Sequence, residues 1–213
     1  MMEQFGIINF PVFLLAGILL NLTPGSDTIY IVTRSLASGT RAGILSALGI
    51  STGAVIHTIG AACGLSVILM HSATAFLLVK YIGAGYLIYL GIRALMTSTA
   101  LPVPQGGKNR RTDYRGMYLS GVLTNVLNPK VALFFLAFLP QFVIPSHSHT
   151  AISFLILGAT FITTGTIWCL CLAVFASLLT GKILQKRWYS SLLQKISGGV
   201  FIGLGVHLAL SKR

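Results

Sequence analysis

The sequence predicts an all-α polytopic membrane protein with six transmembrane helices, arranged as a 3+3 inverted-topology repeat in which proline breaks helices 1 and 4. The first observation is composition, because 54% of the 213 residues are apolar and only 8% are charged. A soluble domain carries about 25% charged residues, so this chain has too little charge to cover a surface that faces water. The other two observations are long apolar runs along the chain and proline-centred motifs that recur in its two halves.

Six apolar runs reach about the 20 residues that a helix needs to cross the hydrocarbon layer of a bilayer. The predicted spans cover residues 6–32, 42–70, 76–96, 117–143, 150–179 and 192–210. Most of the surface is therefore expected to face the lipid bilayer.

The net charge is +12, and the only acidic residues are Glu3, Asp27 and Asp113. A basic excess alone would suggest a nucleic-acid partner, but the Lys and Arg residues lie in links between apolar runs, so no nucleic acid is expected. With six spans the three basic links fall on one side, which the positive-inside rule assigns to the cytoplasm. Both termini are then outside, although Lys212 and Arg213 point the other way. The basic links hold Arg34 and Arg41, then Lys108, Arg110, Arg111 and Arg115, and then Lys182, Lys186 and Arg187.

The two halves of the chain resemble each other. Pro24 and Pro129 lie 105 residues apart, each inside an apolar span, and the segments beginning at Lys80 and Lys195 align at an offset of 114 to 115. The alternative is chance similarity between glycine-rich apolar helices. The offset of 105 also relates Gly53 to Gly158 and Gly60 to Gly165.

These offsets divide the chain into a first three-helix repeat (residues 1–96), a basic cytoplasmic linker (97–116) and a second three-helix repeat (117–213). Because each repeat has an odd number of spans, the second copy enters the membrane from the opposite side. Such inverted repeats are typical of secondary transporters.

Two motifs carry polar residues next to the prolines: residues 21–27 in the first span and 125–130 in the fourth. Proline removes a backbone donor, and backbone groups freed in hydrocarbon must find other partners. Matched breaks indicate a binding site near the middle of the membrane, whereas the alternative is two structural kinks patched by Asn and Thr. The predicted substrate-binding and gating residues are Asn21, Thr23, Pro24, Gly25, Ser26, Asp27, Asn125, Asn128, Pro129 and Lys130.

Asp27 is the only carboxylate inside a predicted span, and Lys130 is the only Lys or Arg deep inside one. A charge at the bilayer centre costs roughly 2.5–3.5 kcal/mol on insertion scales, so such residues usually face a cavity and have a partner. Two hypotheses follow. Either Asp27 and Lys130 form a buried structural ion pair, or Asp27 binds the ammonium group and Lys130 the carboxylate of a zwitterion. Asp27 is also the candidate for proton coupling as the site alternates its exposure.

Histidine and cysteine give no sign of a metal site. His57 and His207 lack partners at ligand spacing, so hydrogen-bonded structural roles are expected. Cys63, Cys169 and Cys171 form no C-x-x-C pair and are interpreted as small apolar core residues. The sequence therefore predicts no metal, no cofactor and no enzyme. Without a nucleotide-binding glycine loop, the energy for transport would come from an ion gradient or from the substrate's own gradient.

Two other functions compete with transport of an organic solute. An exporter of metal cations would need more carboxylate, Cys or His in its spans than this chain has. A membrane thiol-relay protein would need the missing C-x-x-C pair. Small-residue pairs such as Gly49-x-x-x-Gly53 allow close helix packing, either within the chain or in a homodimer.

Five segments together resemble the LysE/RhtB family of amino-acid exporters, the LysE-type translocators. They are Asn21–Asp27, Gly49–Gly64, Tyr81–Gly91, Leu123–Lys130 and Phe138–Phe142, and they extend over essentially the whole chain. The resemblance implies a secondary transporter of the bacterial inner membrane that exports amino acids or their derivatives, or another small solute. It also implies coupling by proton antiport through alternating access.

By motif match, the resemblance carries the site and gating roles onto both proline segments. One position departs from the family pattern, because Ser26 stands where the family usually has a second proline. The break at this position is then softer, or the Ser26 hydroxyl joins the site. Family substrates include lysine, arginine, threonine, homoserine and leucine, and the sequence does not select among them.

Overall fold

The computed structural model describes residues 2–65, 73–96, 113–144, 150–178 and 187–210. Within these ranges the chain is helical, which confirms the predicted all-α class. Most of the predicted linker, residues 97–112, lies outside them. The described α-helices, in chain order, are α1 (Phe10–Leu22), α2 (Ser26–Ser38), α3 (Thr40–Gly60), α4 (Ala73–Met96), α5 (Tyr114–Val126), α6 (Pro129–Leu133), α7 (Thr150–Leu178) and α8 (Arg187–Leu210).

Several helices are long and apolar enough to cross a membrane. Thr40–Gly64, which is α3 with its π-helical extension, and Thr150–Ala176 in α7 qualify alone. The chain bends by 47° between α1 and α2, and by 45° between α5 and the helical segment Pro129–Phe142. Counting each bent pair as one span gives up to four candidates in the described parts of the chain. Helices α4 and α8 lie at the predicted third and sixth spans but are not among these candidates, so the arrangement of six spans stays a prediction.

The first link is much shorter than predicted. Helix α2 runs to Ser38 and α3 begins at Thr40, so Gly39 alone separates them. Gly39 has a φ of +83°, which favours glycine and permits the abrupt turn. Arg34 and Arg41 consequently lie on helices rather than in a loop.

Residues 6–9 are not helical, although the predicted first span begins at Gly6; they follow a short 3₁₀ helix, Glu3–Phe5. Gly6 and Asn9 have φ angles of +69° and +50°, a left-handed conformation that interrupts a helix. Ile7 instead pairs with Val143 in an isolated antiparallel bridge flanked by two backbone hydrogen bonds. The helix therefore starts at Phe10, where the following residue is proline.

Helices α4 and α8 pack closely in opposite directions. A Cβ on Gly91 would lie 2.7 Å from the carbonyl oxygen of Gly198, and a Cβ on Gly205 would lie 2.9 Å from that of Ala84. An offset of 114 relates Gly91 to Gly205 and Ala84 to Gly198. When each residue is replaced by its counterpart in the other half of the chain, the Gly91–Gly198 contact therefore becomes the Gly205–Ala84 contact.

The contacts that α3 and α7 make with their neighbours show the relative directions of the remaining long helices. Helix α3 runs parallel to α5 but antiparallel to α7, and α1 runs parallel to α7. The segments α1–α2 and α5–α6 therefore run in opposite directions. The contacts are Gly49 with Tyr118 and Gly53 with Asn125 between α3 and α5, Gly43 with Ala173 and Thr58 with Gly158 between α3 and α7, and Gly17 with Phe161 and Asn21 with Gly165 between α1 and α7.

The larger of the two hydrophobic cores in the described ranges contains a group of phenylalanine rings, called the aromatic cluster below. Helix α6 continues through a π turn and a 3₁₀ turn to Phe142, and these turns aim several rings at α1 and α7. Neighbouring ring centroids lie 4.8 to 6.1 Å apart, spacings typical of favourable aromatic pairs. The cluster consists of Phe13, Phe134, Phe135, Phe138, Phe142 and Phe161.

We predict that Gly49→Ala destabilises the protein, because the added Cβ would overlap the carbonyl oxygen of Tyr118 and separate α3 from α5. The expected loss is about 1–3 kcal/mol, the usual cost of overpacking. Thermal unfolding of the detergent-solubilised protein measures it. Gly60→Ala, at the C-terminal end of α3, is the control because no described atom outside its own helix backbone lies within 4 Å of its Cβ. Equal melting temperatures for the two variants would contradict the close contact.

Candidate functional site

Pro24 breaks the first bent pair and frees one backbone carbonyl. In a continuous helix the N–H of residue 24 would bond to the carbonyl of Leu20, but proline has no N–H. The Thr23 N–H donates to the Leu20 carbonyl at 3.2 Å, and Thr23 and Gly25 adopt extended backbone conformations. Helix α1 therefore ends with a carbonyl that can accept another donor.

Pro129 creates the same arrangement in the second bent pair. It lacks the N–H that would bond to the Asn125 carbonyl, and the Asn128 N–H donates to that carbonyl at 3.0 Å. Asn128 corresponds to Thr23, and Asn125 to Leu20, at the offset of 105. The Asn128 side chain also caps α6, because its Oδ1 accepts from the Lys130 N–H at 3.0 Å.

Lys130 joins the two breaks. Its Nζ donates to the carbonyls of Leu20 and Thr23 at 2.9 and 2.8 Å, and the residue is only 9% exposed. Gly25 lies beside this side chain, since a Cβ there would be in van der Waals contact with Nζ at 3.5 Å and with Cδ at 3.7 Å. An ammonium group has three N–H donors. Two are used by these carbonyls, so within the described part of the chain one remains for a ligand.

Asp27 lies in the first turn of α2, where the helix dipole favours negative charge. Its Oδ2 accepts from Asn125 Nδ2 at 2.8 Å. The Asn125 side chain is 3% exposed, and its Oδ1 is buried without a hydrogen-bond partner among the described residues. Buried polar atoms usually have a partner, so this oxygen can accept a donor from a ligand.

The hypothesis of a direct structural ion pair is not supported. Asp27 and Lys130 line the same cavity, yet among the described side chains the carboxylate bonds to Asn125 and the ammonium group to two carbonyls. The physical reason is that the break offers Lys130 two carbonyls whose helical partners are missing. The two charges thus share a cavity without neutralising each other at hydrogen-bond distance.

The cavity lies between α1, α2, α3, α5, α6 and α7 and has a volume of about 40 Å³, which is room for a few water molecules. Both polar and apolar side chains line it. The lining residues are Asn21, Asp27, Thr28, Ile50, Ser51, Ala54, Asn125, Lys130, Val131, Phe161, Ile162, Gly165, Thr166 and Cys169.

Four of the ten predicted residues line this cavity: Asn21, Asp27, Asn125 and Lys130. The other six shape the breaks. Thr23, Pro24, Gly25, Asn128 and Pro129 terminate or begin helices, and Ser26 is exposed and only weakly bonded to Asp27 at 3.5 Å.

Helix α7 supplies a wall of the site that was not predicted from the sequence. Asn21 Nδ2 donates to Thr164 Oγ1 at 3.2 Å. Gly165 lies against the Asn21 amide, since a Cβ on Gly165 would lie 3.1 Å from Asn21 Oδ1. The Thr166 and Ser51 hydroxyls are 2.7 Å apart. The available signal was the run Thr163-Thr164-Gly165-Thr166, which is unusually polar for an apolar span.

The expected hydrogen-bonded role of His57 is confirmed, because its Nε2 lies 3.2 Å from the carbonyl oxygen of Asn125. Cys63 and Cys171 are exposed, so their interpretation as core residues is wrong, whereas Cys169 lines the cavity. Both exposed thiols lie on outward helix faces, where a small apolar residue suits lipid as well as a core. In the described ranges, no three His, Cys, Asp or Glu side chains are grouped as for a metal ion.

The family model and the named relatives that match this chain agree with each other. The family model described as LysE type translocator matches residues 18–212. An uncharacterized membrane protein of Vibrio cholerae serotype O1 is 31% identical over 205 residues, which cover 94% of this chain and 96% of that protein. The uncharacterized membrane protein YrhP of Bacillus subtilis is 30% identical over 197 residues, covering 89% and 93%. The leucine efflux protein of Salmonella typhimurium is 26% identical over 209 residues, covering 98% of each chain. No solved structure matches significantly. The chain therefore belongs to the LysE type translocator family.

Proposed function

We propose that this protein exports an amino acid with an apolar side chain from the bacterial cytoplasm, by proton antiport through alternating access. The observation that carries the proposal is a cavity in which Asp27 and Lys130 are both present but not paired with each other. The ammonium group of the substrate would bind Asp27 Oδ2 and Asn125 Oδ1. Its carboxylate would bind the remaining N–H of Lys130.

The apolar part of the lining supports the choice of substrate. Ile50, Ala54, Val131, Phe161 and Ile162 line the cavity, and among the described residues it has no charged side chain besides Asp27 and Lys130. A substrate with a basic side chain would leave its second positive charge without a partner, which is costly in such surroundings. A relative named leucine efflux protein agrees with an apolar side chain.

The proposed architecture is the 3+3 inverted repeat of six spans, with residues 1–96 and 117–213 as its halves and the basic linker 97–116 in the cytoplasm. Two features support it: the hydrogen-bond pattern that recurs at both proline breaks, and the opposite directions of α1–α2 and α5–α6. The proposed location is the inner membrane, with both termini outside. The small cavity supports alternating access, because a bound amino acid would require it to widen.

Asp27 is the proposed proton carrier. Its carboxylate lines the cavity, and protonation would remove the charge that holds the substrate ammonium group. Release of the substrate and uptake of a proton would then both take place at the Asp27 carboxylate.

We predict that cells expressing the protein and loaded with leucine-containing dipeptides export leucine faster than vector cells, and that Asp27→Asn reduces export to the vector level. Asn keeps an acceptor for Asn125 but removes the charge. The matched control is Asp113→Asn, because Asp113 caps α5 outside the site and Asn caps equally well. Faster export of lysine than of leucine would contradict the proposed substrate class.

We predict that Lys130→Met abolishes export and also lowers stability. Methionine fills the volume but removes the donor to the Thr23 carbonyl, at about 1–3 kcal/mol for an acceptor left unpaired. The Leu20 carbonyl loses one of its two donors and keeps the Thr23 N–H. Thermal unfolding in detergent and efflux measure the two effects. Lys195→Met, at an exposed position of α8, should change neither. A Lys130→Met variant that exports at the wild-type rate would rule out the ionic site.

We predict that a pH gradient drives amino-acid movement in proteoliposomes that contain the purified protein. Since antiport exchanges one solute for protons, radiolabelled leucine should accumulate on the acidic side. A protonophore should stop this accumulation, and liposomes without protein provide the baseline. Accumulation that survives collapse of the pH gradient would contradict proton antiport.

A further inference from the structure

Each freed carbonyl is held by a side chain from the other half of the chain. Lys130 holds the Leu20 carbonyl that Pro24 frees. His57 holds the Asn125 carbonyl that Pro129 frees, with Nε2 at 3.2 Å from the oxygen. Because a carbonyl oxygen only accepts hydrogen bonds, Nε2 carries the proton. His57 is thus the counterpart of Lys130 at the second break.

The surroundings of His57 fix the orientation of its ring. The imidazole stacks on Phe135 of the aromatic cluster, with centroids 5.7 Å apart and planes inclined by 23°. Phe135 is 1% exposed, so this stacking surface is itself held by packing. The ring therefore presents Nε2 to the Asn125 carbonyl from a fixed direction.

Helix α3 contacts Asn125 at a second point, one turn before His57. A Cβ on Gly53 would lie 2.7 Å from Asn125 Cβ and 2.9 Å from Asn125 Oδ1. Gly53 allows the close approach and His57 supplies the hydrogen bond. Both α3 residues act on the residue whose amide bonds to Asp27.

We propose that His57 is a positioning residue of the transport site: it holds the Asn125 carbonyl so that the Asn125 amide stays on Asp27. The inference rests on the proposed function. Without the imidazole, the carbonyl loses one of its two donors and the end of α5 can rotate. The Asn125 Nδ2 to Asp27 Oδ2 bond of 2.8 Å would then lengthen, and the substrate ammonium group would lose its oriented partners.

Export kinetics test the role. His57→Leu should raise the KM for leucine export by about tenfold, the effect of one hydrogen bond lost, with a smaller change in maximal rate. His57→Gln should restore the wild-type KM, because its amide N–H can replace the donor. The matched control is His207→Leu on α8, an exposed histidine outside the site. A glutamine variant as impaired as the leucine variant would overturn the proposal.

The pH profile separates positioning from proton transfer. Glutamine does not titrate, so export by His57→Gln should keep the wild-type pH dependence if the imidazole acts only as a donor. A pH dependence that disappears in this variant would overturn the positioning role.

Labelling of Cys169 tests the same inference without transport. Replacing Cys63 and Cys171 with Ser leaves Cys169 as the single thiol, and it lines the cavity. N-ethylmaleimide should label purified His57→Leu protein about tenfold faster, because the lost hydrogen bond loosens the cavity, whereas His57→Gln should label at the parental rate. Equal rates in all variants would overturn the proposal. If the expected rates appear but no amino acid is exported, the proposed function fails and the positioning of Asn125 stands.

Discussion

The structure depends on an exchange of hydrogen bonds between two broken helices. Each proline removes one donor and leaves a carbonyl in surroundings with little water. The donors that replace it come from 110 and 68 residues away along the chain: Lys130 for Leu20 and His57 for Asn125. Backbone polar groups in an apolar medium must be satisfied, so the two halves can break their helices only because they are packed against each other.

This exchange also explains why opposite charges can share one cavity. An isolated Lys and Asp in a membrane would be expected to pair. Lys130 instead uses two of its donors on backbone carbonyls, and Asp27 accepts from Asn125. Each group is stabilised by a partner other than the opposite charge. Binding capacity therefore remains in the cavity, notably at Asn125 Oδ1, which has no partner in the described ranges.

Packing differs on the two sides of the cavity. Toward the bridge between Ile7 and Val143, the aromatic cluster fills the space with rings, and Phe161 belongs both to the cluster and to the cavity wall. Toward Gly39, the core is smaller and combines the small residues Ala47 and Ala173 with Ile31 and Ile50. Large rings stack over wide areas, whereas small residues allow backbones to approach closely. The proposed widening of the cavity therefore has to separate either the stacked rings of the aromatic cluster or the close helix contacts near Gly39.

The helical class, the positions of both breaks and the polar residues beside them could be predicted from the amino-acid sequence alone. These features are local: an apolar run favours a helix, and Pro24 or Pro129 lacks an N–H whatever surrounds it. Family membership could be predicted for the same reason, since it rests on motifs within short segments. The start of α1 at Phe10 and the turn at Gly39 were missed, because they depend on backbone conformations and on pairing with Val143.

Which groups meet depends on the packing of the helices in three dimensions. This packing directs Lys130 to carbonyls rather than to Asp27, makes α7 a wall of the cavity and brings His57 to Asn125. These contacts join residues far apart in sequence, and their geometry follows from how closely glycine-rich helices pack. A pattern of residue types specifies which hydrogen bonds are missing at a break, but the packing of neighbouring helices selects the side chain that replaces them.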